Sequence, residues 1–173
     1  MVECGKKFLF LSKNNFKNIS LKILIGTYEC KIDAKGRVVL PAPLKKQLGD
    51  LEVGFVLKRS DFQRCIDFYT TEEWNNEMLK IRSLNRYVKE NDDFIRKFMS
   101  GVKLVETDAV GRILIPKDLL DFAQINKEIV FSALGSRVEI WDKNAYERAI
   151  DTTTEDFSQL AEKVMGGLRN DSN

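Results

Sequence analysis

One nine-residue phrase occurs twice in this chain. Residues 33–41 read Asp-Ala-Lys-Gly-Arg-Val-Val-Leu-Pro, and residues 108–116 read Asp-Ala-Val-Gly-Arg-Ile-Leu-Ile-Pro, at an offset of 75. Five positions are identical in type, and most of the rest exchange one aliphatic for another. A repeat of this kind constrains architecture more than any local propensity, because each copy is one supersecondary unit. The order of signals around the phrase also repeats. A period-two stretch or short strand precedes it, and Pro with a short helix follows. Two further strands and a longer helix complete each copy.

In the first copy Tyr28, Cys30 and Ile32 alternate with Glu29 and Lys31, the pattern of a half-buried strand. Thr27 to Pro41 reads as a β-hairpin with its turn at Asp33 to Gly36. The return strand Val38-Val39-Leu40 is continuously apolar, which predicts burial on both faces. Pro41 or Pro43 opens a short helix, and Gly49 is placed to end it. Val53–Leu57 and Cys65–Tyr69 read as strands, and a helix begins at Glu72. The second copy matches with Ile113–Pro116, a helix over Lys117–Phe122, and strands Ile129–Ala133 and Arg137–Trp141. Ile66-Asp67-Phe68-Tyr69 aligns with Val138-Glu139-Ile140-Trp141 at an offset of 72, so a short indel lies in the loop before the last strand.

Between the copies, Trp74, Met78, Ile81, Leu84 and Val88 keep helical spacing, as do Tyr87, Ile95, Phe98 and Val102 more loosely. Asn91-Asp92-Asp93 reads as a break and N-cap. These aromatics read as core. A last helix is expected through Phe157, Leu160, Ala161 and Val164, ending at Gly166-Gly167. The expected division is an N-terminal extension over 1–23, repeat 1 over 27–74, connecting helices over 75–101, repeat 2 over 102–145, and a C-terminal helix and tail over 146–173. The fold class is α+β, mainly β.

Composition removes several chemistries. The chain has 173 residues and no histidine, so His-based acid–base catalysis, His metal ligands and Ser/Cys–His pairs are excluded. Three cysteines at 4, 30 and 65 show no C-x-x-C spacing, which suits a reducing cytoplasm and argues against a zinc site. No stretch reads as a membrane span. No nucleophile–base set or phosphate loop stands out, so no catalytic residue, metal or cofactor is assigned. Asp33 with Asp108 as a catalytic pair is the least favoured reading, because neighbouring arginines would keep both ionised.

Net charge is +2 but unevenly spread. Residues 31–64 carry eight basic and four acidic side chains, and 138–173 carry four basic and eight acidic. These are basic patches on a nearly neutral chain, so any nucleic-acid surface must be concentrated by folding or assembly. In the repeated phrase, Gly36 and Gly111 supply positive φ for a tight turn. Asp33 and Asp108 accept from turn N–H groups. Arg37 and Arg112 can pair with their own aspartates or reach outward to phosphate or a base edge.

These residues resemble the MraZ family, regulators built from two SpoVT-AbrB-type repeats. The matching residues are Gly26-Thr-Tyr-Glu-Cys-Lys-Ile-Asp-Ala-Lys-Gly-Arg37 with Tyr69 and Glu73-Trp74, then Glu106-Thr-Asp-Ala-Val-Gly-Arg-Ile-Leu-Ile-Pro116 with Glu139-Ile-Trp141. The resemblance covers about residues 24 to 150. It implies a duplicated swapped-hairpin, double-split β-barrel fold and ring-shaped homo-oligomers in the cytoplasm, associated with the nucleoid. It also implies binding to repeated promoter elements of the division and cell-wall gene cluster, the protein's own gene included. By position the DNA-contacting arginines are Arg37 and Arg112, with Asp33 and Asp108 as partners. Lys31, Lys35, Lys45 and Lys46 are expected phosphate contacts, and the first tip is expected to be the stronger reader because Val110 replaces Lys35. Family members usually start just before Gly26, so residues 1–22 are extra: a basic arm, an alternative start or, the favoured reading for a Lys/Asn-rich stretch with no clear period, a start-site misassignment. Lys103 and Val105 depart from the family's smaller or more polar residues there. A competing reading takes the acidic C-terminal region as the handle of an antitoxin-type interaction module.

Overall fold

The structure, a computed structural model, describes residues 23–167. The expectation for the N-terminal extension therefore lies almost wholly outside the described residues. The first copy builds β1 (Leu24–Lys31), β2 (Arg37–Val39), α1 (Ala42–Leu48), β3 (Phe55–Arg59), β4 (Ile66–Thr70), α2 (Thr71–Arg82) and α3 (Lys89–Phe98). The second builds β5 (Lys103–Val105), β6 (Arg112–Leu114), α4 (Lys117–Ala123), β7 (Glu128–Gly135), β8 (Val138–Asp142), α5 (Lys143–Ile150) and α6 (Thr154–Gly167).

The strands on either side of the repeated turn do not form a ladder with each other, contrary to the hairpin reading. β1 pairs antiparallel with β7 along its whole length, and β2 pairs antiparallel with β6. β5 likewise lies against β3. Each copy thus lends its first strands to the other. For β2, β5 and β6 the physical reason is length. A three-residue strand has too few hydrogen bonds and too little apolar surface to stand alone. Two such strands, each with the residue that follows it, bury Val38, Leu40, Ile113 and Ile115, all at most 1% exposed.

The result is a six-stranded antiparallel sheet in the order β1-β7-β8-β4-β3-β5 and a two-stranded ribbon of β2 and β6. Both are centred on equivalent residues. Asp67 faces Glu139 at the middle of the sheet, and Val38 faces Ile113 at the middle of the ribbon. The inner sheet face, with Phe55, Leu57, Ile66, Phe68, Ile129, Phe131, Val138 and Ile140, packs with the ribbon, α1 and α4 into one core. Phe55 stacks on Phe68 at 4.7 Å between ring centres. Helices α2 and α5 lie against strands of the sheet, β3 and β4 for α2 and β7 and β8 for α5. A second core joins Ile81, Ile95 and Phe98 with Trp74, Met78 and Leu84, so most of the helical aromatics are core as expected.

Tyr87 is the exception, fully exposed in the turn between α2 and α3. Asn91-Asp92-Asp93 also differs from its reading as a break. It lies inside α3, which starts at Lys89. Acidic side chains suit a helix N-terminus, and Lys89–Asp93 and Asp92–Arg96 pairs one turn apart hold this one. The return strands differ too. Val39 and Leu114 are each 53% exposed, so both strands alternate instead of burying two faces.

Candidate nucleic-acid interface

The two copies of Asp-x-x-Gly-Arg fold into the same turn. Asp33 N–H donates to the Arg37 carbonyl (2.9 Å) and Gly36 N–H donates to the Asp33 carbonyl (3.0 Å). In the second copy the equivalent bonds are 2.9 and 2.8 Å. One carboxylate oxygen of Asp33 accepts from the backbone N–H of Lys35 and of Arg37, both at 2.9 Å. Asp108 does the same for Val110 and Arg112. The other oxygen holds the arginine. Arg37 Nε donates to Asp33 Oδ2 at 2.8 Å and Arg112 Nε to Asp108 Oδ2 at 2.7 Å.

Each aspartate thereby accepts three bonds from its own tip, which makes it a positioning group. The backbone and side-chain N–H groups of Arg37 hold the Asp33 carboxyl down at about 2, and Arg112 lowers Asp108 in the same way. Both therefore remain ionised throughout the physiological pH range. The arginines are oriented but not consumed. Their side chains are 35% and 33% exposed, and Nη1 of each makes no hydrogen bond among the described residues.

The glycines are required by two different surroundings. Gly36 and Gly111 have φ of 83° and 75°, where a side chain is strained. A Cβ on Gly36 would stand 3.0 Å from the Ile115 carbonyl oxygen, whereas one on Gly111 would meet the flexible end of Lys45 at 2.9 Å. The Gly36 carbonyl also accepts from Ile115 N–H (2.8 Å), and that of Gly111 from Leu40 N–H (3.2 Å), so each tip is fastened to the other copy's return strand. We expect Gly36→Ala to lower stability by about 2–3 kcal/mol and Gly111→Ala by about 1–2 kcal/mol, because a lysine end moves and a backbone carbonyl does not. Urea unfolding of the two variants checks the order.

The ribbon brings both arginines to one surface. Arg37 faces Leu114 and Arg112 faces Val39 across the ladder. Alternation sends Val38 and Ile113 inward, so Arg37, Val39, Arg112 and Leu114 share the outer face. Arg37 and Arg112 are diagonal neighbours, about 7–8 Å apart at their Cα atoms. Lys35 is exposed on the first tip, and Lys45, from α1, overhangs Gly111 on the second. Lys46 is exposed on α1. Lys31 is on β1 with its ammonium 3.6 Å from Glu128, so its charge is partly met within the chain.

Reading the sequence as doubly buried strands missed Val39 and Leu114 as surface residues. The available signal was the arginine itself, since a charged residue facing out at one strand position puts the residue two further on beside it.

Another charged group lies at the sheet centre. Cys65 Sγ and carboxylate oxygens of Asp67 and Glu139 come within 4.8 Å of one another, all buried. Arg137 lies 3.5 Å from Asp67 and 3.2 Å from Glu139, and Lys58 lies 3.8 Å from Asp67. Burial pushes the Cys65 thiol up to about 12. A protonated thiol and carboxylates already met by two cations make an ion-pair network, a poor donor set for a metal.

The family described as "MraZ protein, putative antitoxin-like" matches this chain twice, over residues 23–97 and 98–166. A transcriptional regulator MraZ of Flavobacterium psychrophilum is 55% identical over 152 residues, covering 87% of this chain and 97% of the relative. The protein of that name from Christiangramia forsetii is 56% identical over 144 residues, covering 83% and 93%. That of Cytophaga hutchinsonii is 41% identical over 140 residues, covering 81% and 93%. The chain belongs to the MraZ family.

Proposed function

We propose that this transcriptional regulator binds double-stranded DNA through the outer face of the β2–β6 ribbon. The family is one of transcriptional regulators, not of enzymes. The observation that carries the reading is the pair of aspartate-held, partly exposed arginines set diagonally on one ribbon face. A two-stranded ribbon fits the major groove, where an arginine fork matches guanine O6 and N7. Arg37 and Arg112 are the base readers, Asp33 and Asp108 fix them, and Gly36 and Gly111 shape the tips. Lys35, Lys45 and Lys46 contact phosphates. Lys31 contributes less, because Glu128 competes for it.

The target is a set of repeated elements in the promoter of the division and cell-wall gene cluster, with the protein's own gene among them. The exchange of strands between copies supports a swapped-hairpin, double-split barrel, with repeats over 27–74 and 102–145. Assembly into a homo-oligomeric ring multiplies weak single contacts on repeated sites. Its support is the outward apolar face of α6, where Phe157, Leu160 and Val164 are each more than half exposed. No helix among the described residues is long and apolar enough to cross a membrane, and the reading places the protein in the cytoplasm with the nucleoid.

Titrating the chain against its own promoter fragment at rising salt tests this reading. Binding is expected to fall steeply with salt, as neutralised phosphates release counterions. A chain that protects no part of that fragment at low salt overturns it.

A further inference from the structure

The outer ribbon face carries two residues that electrostatics does not explain. Val39 and Leu114 are each 53% exposed, at the same place in the two copies. Val39 lies directly across from Arg112, and Leu114 directly across from Arg37. Each guanidinium therefore has an aliphatic side chain as its cross-strand neighbour, with Cβ atoms about 4.5–5.5 Å apart. A surface that only had to attract phosphate would gain nothing from these aliphatics. A surface pressed against base edges would gain, because the major groove offers one apolar group, the C5 methyl of thymine. The charge on the same face selects DNA as the occupant over an apolar protein surface, since two cations would be desolvated without acceptors there.

We propose that Val39 and Leu114 are specificity-determining residues that contact thymine C5 methyl groups next to the guanines read by Arg112 and Arg37. The inference rests on the DNA-binding reading above and adds what the site recognises beside guanine. Val39 is the shorter of the two, so its thymine must come closer to the ribbon than the one met by Leu114.

The test uses the full chain and a duplex that the wild type selects from a random pool. That duplex is then made with thymine or with uracil throughout, which differ only by the methyl group. The wild type is expected to bind the uracil duplex more weakly, by about fourfold for each methyl contacted. A Val39→Ala, Leu114→Ala double variant is expected to bind both duplexes equally. The variant also subtracts any effect of uracil on duplex stacking. Should the double variant fail to fold, the single variants Val39→Ala and Leu114→Ala make the same subtraction one position at a time. Equal wild-type affinity for both duplexes overturns this proposal alone, as does a folded variant that remains sensitive to the methyl. Failure to select any duplex overturns the DNA reading and this proposal together.

Discussion

Replacing Arg37 and Arg112 together by alanine should remove sequence-specific DNA binding and leave the fold in place. Each bidentate arginine contact to guanine contributes about 1–3 kcal/mol of discrimination. The double variant should then lose roughly thirtyfold to twenty-thousandfold in affinity for its selected site. The fold should survive because the turn does not depend on the guanidinium. Asp33 keeps its bonds from the Lys35 and Arg37 backbone N–H groups, and the Gly36 to Asp33 bond is untouched. Single variants separate base contacts from phosphate contacts. A base-reading arginine relaxes preference at one position, whereas a phosphate-binding one weakens all sequences alike and lowers the salt slope by about one. Arg37→Lys is the sharpest control, because it keeps the charge and loses the fork. Fluorescence anisotropy on selected and scrambled duplexes, compared at one salt concentration for affinity and over a salt series for the slope, measures all of these. Equal binding by wild type and double variant would remove both arginines from the site.

The second large effect concerns stability. Lys58→Met should destabilise the chain by about 3–5 kcal/mol, as breaking a buried ion pair from one side does. Lys58 is 1% exposed, its ammonium 2.7 Å from Asp61 and 4.2 Å from the centre of the Phe98 ring. Methionine fills the stem's volume, so the loss isolates the charge. Asp67, 2% exposed, is left with Arg137 as its remaining close cation. Its carboxyl is already pushed above the usual range by burial, against the pull of Arg137 and Lys58 and with the repulsion of Glu139.

The sign follows from proton counting. A carboxyl whose folded pKa is raised holds its proton more firmly in the native state. It therefore favours folding at low pH and disfavours it as pH rises through the folded pKa. Removing Lys58 raises that value further. The variant's deficit should be larger at pH 8 than at pH 5, by urea unfolding at both. Adding Asp67→Asn should recover part of the loss at pH 8 and little at pH 5. A deficit that is equal at both pH values would show that the charge on Asp67 is not its origin.

The repeat made much of this architecture legible. Asp33, Gly36, Arg37 and Pro41 act locally, within one turn and the start of one helix, so reading them needs no knowledge of the partner strand. Gly49 at the end of α1 (φ 83°) is legible for the same reason. What the sequence hid is pairing. Hydrogen bonds between β2 and β6 join residues 75 apart, and nothing in Val38-Val39-Leu40 says which strand completes it. The outward position of Val39 was lost with that pairing, since an aliphatic run looks the same whether one face or two are covered. The network of Lys58, Asp67, Arg137 and Glu139 was invisible for a related reason. Charges in β-branched and aromatic strands read as solvent-facing until helices are laid over them.

The mutual lending of strands has an evolutionary side. One copy alone would carry a β1 and a β2 with nothing to pair with, and would find its complement only in a second molecule. Such a half-chain is a homodimer by necessity, and a homodimer must present the same tip twice. Joining the halves in one polypeptide removes that obligation. Each half is then free to differ from the other, and in this chain Lys35 stands on one tip where Val110 stands on the other. A nearly symmetric scaffold thereby has a direction, because its two tips present different side chains to whatever lies against the ribbon.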